Sequence, residues 1–455
     1  MAITLAEKAN RLPNRAAPNL GEELLLSIIY TFLGEKCHGA CAYWCIEIVL
    51  YGHKFIKLSK INYYKGHNMK ELSERTSKFT DSVIRRMTRV SIEHNAVNLS
   101  QGFPDFEPPK AITDRLALVA KEGPHQYALT WGAKNFRDAL AKKQNHFSGM
   151  NVDADKNIVV TCGSTEAMMA AMMSVCNPGD KVVIFSPFYE NYGADAILSG
   201  ATPIYVPLNP PEFSFDADVL ESAIKQSGVK ALILCNPSNP CGKVFTEDEL
   251  KIIAELAIKY DIYVITDEVY EHILYAPNKH TYIATLKGMA DRTIICSSLS
   301  KTYSITGWRL GYVIANEEIT NRVKKVHDFL TVGAAAPLME AATVGLNFED
   351  SYYEELQAHY THMKELFTGG LKDIGLQFRE PQGAYYVMVD ISEFGYDDDN
   401  EFCIDLASKV RVGAVPGSSF FKENINNYVR FHFAKKDETL YEALNRLEKI
   451  KILKK

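Results

Sequence analysis

Ile262-Tyr263-Val264-Ile265-Thr266, followed at once by Asp267-Glu268-Val269-Tyr270, decides the fold. The first five residues are aliphatic, aromatic or β-branched, with no polar alternation. Such a run suits a strand buried on both faces, as in a parallel sheet covered by helices. A carboxylate at the end of that strand must find a partner, because an unpaired buried charge is very costly. Asp267 therefore reads either as a helix cap or as part of a site.

The pattern repeats outward in both directions. Residues 157–161, 181–185, 230–234, 293–296 and 310–315 are further short, β-branched apolar runs. Helical stretches lie between them. The clearest spans 246–260, where Thr246 and Glu249 make a capping box and Leu250, Ile253, Ala254 and Ala257 recur at helical spacing. Alternation of this kind predicts an α/β fold whose mostly parallel sheet is wrapped on both faces. The alternation ends near residues 335–337. A smaller α+β region follows, with strands expected at 384–389 and 428–433. The expected organisation is an N-terminal segment over 1–68, an arm and part of a small domain over 69–110, a large domain over 111–345, and a small domain over 346–455.

Ligands of open α/β sheets bind beyond the carboxyl ends of the strands, and the polar residues of this chain gather there. After 157–161 comes Gly163-Ser164-Thr165, a glycine turn with two hydroxyls ahead of an apolar helix over 166–175. The free N–H groups and dipole of such a helix start attract an anion, although an ordinary cap looks the same. After 230–234 comes Asn236-Pro237-Ser238-Asn239-Pro240, a rigid turn that aims Asn239 outward. After 293–296 come Ser297-Ser298-Leu299-Ser300-Lys301 and then Thr306-Gly307-Trp308-Arg309. A lysine among small hydroxyl residues, away from solvent, can lose its proton and attack carbonyls.

This ordered set, with Leu310-Gly311 completing its last motif, resembles the fold-type I, class I/II pyridoxal-phosphate aminotransferases from about residue 82 to the C-terminus. Each motif is weak singly; their order is specific. The resemblance implies a large sheet domain with a smaller α+β domain, pyridoxal 5'-phosphate as cofactor, and a homodimer with shared active sites. It makes Lys301 the lysine that holds the cofactor as a Schiff base and later shuttles a proton. Asp267 pairs with the pyridinium nitrogen, and Tyr270 and Asn239 hydrogen-bond the phenolic oxygen. Ser164, Thr165, Ser298 and Arg309 hold the phosphate, Arg309 through a charge-assisted contact. Tyr189 matches the aromatic residue stacked on the ring, and Tyr127 a tyrosine that reaches the phosphate from the neighbouring subunit. Arg430, in Tyr428-Val429-Arg430-Phe431, matches the arginine that clamps the substrate α-carboxylate, with Gly102 lining that place and Asn239 beside it.

Acidic-substrate members commonly carry a lysine where Thr165 stands. Gln101-Gly102-Phe103-Pro104-Asp105 and Ser300-Lys301-Thr302-Tyr303 resemble the aromatic, kynurenine and methionine branch. The resemblance thus implies a neutral aromatic or methionine-like donor and a 2-oxo acid acceptor. Ile84 stands in the N-terminal region where some kynurenine enzymes carry tryptophan. Two alternatives are β-elimination of cysteine S-conjugates on the same fold and an aspartate-type aminotransferase. The intact Thr306-Gly307-Trp308-Arg309 segment favours transamination over elimination.

Composition narrows the rest. A hydrophobic share of 47% suits a folded chain, and 50 basic against 56 acidic side chains give −6, which argues against a general nucleic-acid or membrane binder. Nine cysteines, an odd number, read as reduced thiols in a cytoplasmic protein. Cys37, Cys41 and Cys45 lack a complementary cysteine or histidine pair, so no metal is expected there. Residues 1–68 differ in composition, and 54–68 are rich in Lys, Ile, Asn and Tyr, which AT-rich codons encode. Lys65-Gly66 fits a purine-rich ribosome site just ahead of Met69. Met69 is therefore expected to be the natural start.

Overall fold

The structure, a computed structural model, describes residues 70–455. The expectations for 1–68, for Met69 and for Cys37, Cys41 and Cys45 lie outside the described residues.

Thirteen strands are described: β1 (Val97–Asn98), β2 (Ile158–Thr161), β3 (Lys181–Ser186), β4 (Thr202–Pro207), β5 (Val229–Cys235), β6 (Tyr263–Asp267), β7 (Thr293–Ser298), β8 (Gly311–Ile314), β9 (Gln377–Phe378), β10 (Tyr386–Asp390), β11 (Val412–Gly413), β12 (Val415–Pro416) and β13 (Tyr428–His432). Seven of them form the central sheet in the order β2-β8-β7-β6-β5-β3-β4. All neighbours from β4 to β7 are parallel, and β8 runs antiparallel to both β7 and β2. The mostly parallel sheet expected from the apolar runs is therefore present, with one reversed strand.

Successive side chains on these strands leave on opposite faces. Val183, Leu232 and Val264 pack with Leu250, Ile253 and Ala257 of the helix Glu247–Lys259. Val182, Ile233 and Ile265 pack on the other face with Ala167, Ala171 and Met172 of the helix Ser164–Val175. Both faces are dry, which is why these strands read as unbroken apolar runs. The capping box at Thr246 forms as expected, with Glu249 closing it. The helix after the glycine turn starts at Ser164, two residues before the apolar run, because polar residues occupy its first turn.

A second, antiparallel sheet has the order β12-β13-β10-β9, and β1 pairs with β11 in a two-stranded parallel sheet. Phe431 of β13 and Val387 of β10 pack with Phe367 and Leu371 of the long helix Asp350–Ile374. The strand expected at 384–389 begins later, at Tyr386, because Ala384 takes a left-handed turn with φ 56°. Both sheets belong to one unit, Ser73–Lys455. Among the described residues no helix is long and apolar enough to cross a membrane.

Candidate active site

The polar motifs converge because of how the strands end. In register, Thr161 of β2 and Ser298 of β7 both lie beside Gly311, the first residue of β8. The reversal of β8 puts its start at the edge where the parallel strands finish, so Arg309 arrives beside residues that follow β2 and β7. Cys235, Asp267 and Cys296 form the adjoining row across β5, β6 and β7.

At the first row the backbone makes a tight cradle. Gly163 has φ 87°, and a Cβ there would come within 2.3 Å of Arg309 Nη2. A Cβ on Gly311 would meet the Gly163 carbonyl carbon at 2.3 Å and the Ser164 nitrogen at 2.6 Å. Arg309 is itself left-handed, with φ 54°, and its Nη1 donates to the Thr306 carbonyl at 3.0 Å. The helix Ser164–Val175 has no side-chain cap, so its first N–H groups are left for a ligand. Ser164 is half-buried and Thr165 exposed. Ser298 is buried, and its hydroxyl oxygen accepts from the Ser300 N–H at 3.3 Å. A positive side chain and free N–H donors around a glycine turn form an anion site.

Along the second row, Asp267 is buried at the end of β6 and accepts from the Tyr192 hydroxyl at 2.7 Å and the Val269 N–H at 3.4 Å. Burial pushes its carboxyl upward, and the Tyr192 bond, the Val269 bond and the Lys301 charge offset only part of that rise. Such a carboxylate gains from a further cationic N–H partner. The Lys301 amine reaches the Gly102 carbonyl at 3.2 Å and sits 6.0 Å from the Tyr270 ring and 5.7 Å from the Tyr385 ring. Burial lowers its pKa to about 8, against the raising effect of Asp267 and with Arg309 and Arg430 adding to the fall. Near neutral pH a useful fraction of this amine is unprotonated, as a carbonyl nucleophile requires.

Arg430, on β13, is wholly buried. Its Nη1 donates to Asn239 Oδ1 at 2.8 Å and its Nη2 to the Ser100 carbonyl at 2.8 Å, while Nε has no partner. Tyr386 at 4.4 Å and Phe420 at 4.6 Å hold the guanidinium by its faces. The Tyr386 and Tyr270 hydroxyls are 2.9 Å apart. Gly102 is where it must be: a Cβ would lie 2.2 Å from the Tyr386 oxygen, and its carbonyl accepts from Tyr385 at 3.0 Å. Tyr189 is half-buried and packs beside Ile84, Val415 and Phe420.

Tyr127 stands apart, 86% exposed. Tyr385, Tyr386 and Phe420 were not singled out from the sequence, and neither were two residues that bear on Asp267. Tyr192, which donates to Asp267, lies three positions after Tyr189. Asp195, three further on, is buried with Oδ2 unpaired, and burial together with Asp267 raises its pKa to about 8. The only signal for either was helical spacing from Tyr189. A surface cleft of 560 Å³ beside Tyr275, Lys364, Lys372 and Arg379 shares none of the residues above.

The donor set fits pyridoxal 5'-phosphate. The cradle that Gly163 and Gly311 leave open suits a phosphate, the raised Asp267 carboxyl suits a ring N–H, and a low-pKa lysine lies close enough to Asp267 to feel its charge. An acid, an amine and an anion cradle set at the strand ends of such a sheet are what a pyridoxal-phosphate enzyme needs. Residues 94–447 match the family described as "Aminotransferase class I and II". The chain belongs to that family, which uses pyridoxal 5'-phosphate, and it is a pyridoxal-phosphate-dependent transaminase.

Its relatives carry several substrate names. The chain is 35% identical over 382 residues to a probable N-succinyldiaminopimelate aminotransferase of Mycobacterium tuberculosis, covering 81% of this chain and 96% of that protein. The N-succinyldiaminopimelate aminotransferase structure from that organism superposes with a TM-score of 0.81 at 34% identity, covering 84% of this chain and all of that one. A methionine aminotransferase of Escherichia coli is 34% identical over 370 residues, covering 81% of this chain and 96% of its own. Human kynurenine–oxoglutarate transaminase 3 is 32% identical over 387 residues, covering 78% and 85%.

Proposed function

We propose that this transaminase takes the amino group of a neutral L-amino acid, aromatic or methionine-like, and passes it to a 2-oxo acid. The observation that carries the reading is the setting of Arg430. Its guanidinium lies between Tyr386 and Phe420 with Nε unpaired, and Ile84 and Tyr189 pack beside Phe420. A carboxylate meets the cation there while an apolar side chain meets aromatic surface. Thr165 adds no positive charge where a distal carboxylate would look for one.

Pyridoxal 5'-phosphate supplies an electron-withdrawing ring that stores the charge left when the substrate Cα loses its proton. Lys301 would hold the cofactor, and its amine, with a pKa lowered to about 8, would take up the proton on Nζ. Asp267, held by Tyr192, would pair with the cofactor's ring N–H. Tyr270 and Asn239 would hold its phenolic side, and Ser164, Thr165, Ser298 and Arg309 would hold its phosphate. Tyr189 would cover its ring. Arg430 and Asn239, with the backbone at Gly102, orient the α-carboxylate so that the Cα–H bond faces Lys301.

The reading includes a homodimer. Tyr127 and Leu129 are exposed, as are Phe329, Leu330 and Val332 at the end of the helix Glu317–Thr331. His327 ties that helix to the Thr130 carbonyl at 2.8 Å, so the exposed apolar residues are neighbours. A patch of this kind calls for cover, and a second copy would bring Tyr127 to its phosphate. A donor screen with one 2-oxo acid, followed by keto-acid formation, tests the substrate reading. Methionine and phenylalanine are expected to lead in kcat/KM, and a lead for aspartate would overturn it.

A further inference from the structure

Tyr189 sits in a segment that is gripped from two directions. On one side, the Ser186 hydroxyl donates to Glu423 at 2.5 Å and accepts from the Lys422 N–H at 2.9 Å. Two residues on, the Phe188 N–H donates to the Phe420 carbonyl at 2.9 Å. On the other side, the Glu190 carboxylate accepts from the Ser82 hydroxyl and from the Val83 N–H, the latter at 3.2 Å.

The second grip falls at the start of the helix Val83–Glu93. Ser82 caps that helix, its hydroxyl oxygen accepting from the Arg85 N–H at 3.3 Å. The first turn contains no acidic residue. The positive end of the helix is therefore met by a carboxylate from a distant part of the chain. Ile84, the next residue but one after the cap, is buried and packs with Val415, Phe420 and the half-buried Tyr189. Phe420 is one of the two rings that enclose Arg430, and the Glu190 charge reaches that arginine too.

We infer that Glu190 is a positioning residue for substrate recognition: by capping the helix Val83–Glu93 from outside, it sets Ile84 against Phe420 and Tyr189 and so closes the wall on which a neutral donor side chain rests. The inference rests on the neutral-donor reading above. Glu190 takes no part in bond making. Its carboxylate decides where one wall of the pocket stands, and binding of the donor depends on that wall.

The test uses the full-length, cofactor-loaded enzyme with Glu190→Ala, Glu190→Gln, Ser82→Ala and the Ser82→Ala/Glu190→Ala pair. Losing a charge-assisted bond that holds the wall is expected to raise KM for methionine and phenylalanine about ten- to a hundredfold, with kcat nearly unchanged. Glu190→Gln, which keeps an acceptor without the charge, is expected to fall between. The pair is expected to cost less than the sum of the two single changes, since the Ser82–Glu190 bond is lost in both, while the Arg85 and Val83 N–H bonds are lost in one each. Trypsin gives a readout that needs no substrate. Arg85, Arg86 and Arg89 are exposed on the helix, and cleavage there is expected to quicken when the cap is lost.

Faster cleavage with an unchanged KM would make Glu190 a structural cap only and would overturn the inference. Unchanged cleavage would overturn it at the first step. If Glu190→Ala fails to fold, Glu190→Gln and Ser82→Ala carry the same two measurements. If aspartate proves the best donor while cleavage still quickens, the donor reading falls and the helix cap stands.

Discussion

Two lysines, Lys143 buried and Lys301 half-buried, face two buried acids on either side of Tyr270, and they are built to opposite ends. Glu271 accepts from Lys143 at 2.8 Å, Gln144 at 3.1 Å, Tyr282 at 2.6 Å and Tyr312 at 3.2 Å. Burial alone would raise its carboxyl, but the Lys143 charge, then His272 beside it, hold it well below the usual carboxylate range. Asp267, four residues earlier, has one hydroxyl and one long N–H contact and is raised. Lys143 is locked to its acid, whereas Lys301 touches only a carbonyl and has a pKa lowered to about 8. The ingredients are the same. A closed network of hydrogen bonds yields rigidity, and a network left open on one side yields a group ready to react.

That contrast can be broken in several places. The largest effect is expected for Lys301→Ala. It should remove the cofactor's absorbance and lower kcat by about 10²–10⁴-fold or more while the fold persists. A purified variant that kept both would end the assignment of Lys301. Glu271→Ala should do the reverse, costing about 3–5 kcal/mol in urea unfolding because Lys143 is left buried and unpaired. Turnover per folded molecule should survive, and an unchanged urea midpoint would show that the cluster is not a structural hub.

Arg430 sharpens the contrast, because its Nε is open like the Lys301 amine. Arg430→Ala should cost about 2–5 kcal/mol in kcat/KM for every donor, since all share the α-carboxylate. A loss confined to one donor would make it a side-chain selector.

The smallest effects are in pH dependence, and their signs differ. Lys301 titrates at about 8 in the fold against 10.5 in the unfolded chain. Between those values the unfolded chain binds more protons, so stability of the cofactor-free protein rises with pH there. Glu271 is depressed, so its contribution is present above the ordinary carboxylate range and is lost as pH falls through its lower folded value. Urea midpoints against pH should lose the alkaline slope in Lys301→Ala and part of the acid slope in Glu271→Ala. Parallel curves for wild type and either variant would refute the corresponding shift.

The open cluster was far easier to read from sequence than the closed one. Asp267 ends an apolar strand, and Asn239 and Lys301 stand within about one turn after theirs, so local order alone placed them at one edge. Glu271 has partners 128 and 41 residues away in Lys143 and Tyr312, and nothing local announces them. Tyr192 and Glu190 were hidden for the same reason. Their partners Asp267 and Ser82 come close only after the sheet and the N-terminal helix have packed. Among strands, β4 escaped notice because it is the edge of the sheet. Its Thr202 is exposed and prolines stand at 203 and 207, so it lacks the continuous apolar run of a strand covered on both faces. Even the reversal of β8 was illegible, since an antiparallel strand buried on both faces has the composition of a parallel one.

The close approach of Gly163 and Gly311 has a meaning for how sequences of this kind can drift. No side chain fits at Gly311 unless the turn at Gly163 moves away, and no side chain fits at Gly163 unless Arg309 does. A change at Gly311 runs into the backbone at Gly163, and a change at Gly163 is strained at φ 87° and displaces the Arg309 guanidinium, so random mutation meets a wall at both that selection need not build. Surfaces bounded by movable side chains, such as the ring of Phe420 against Ile84, permit stepwise exchange. A laboratory library aimed at new donors would therefore hold both glycines constant and vary Ile84, Phe420 and their neighbours, because only there does the lineage have open ground on which to change.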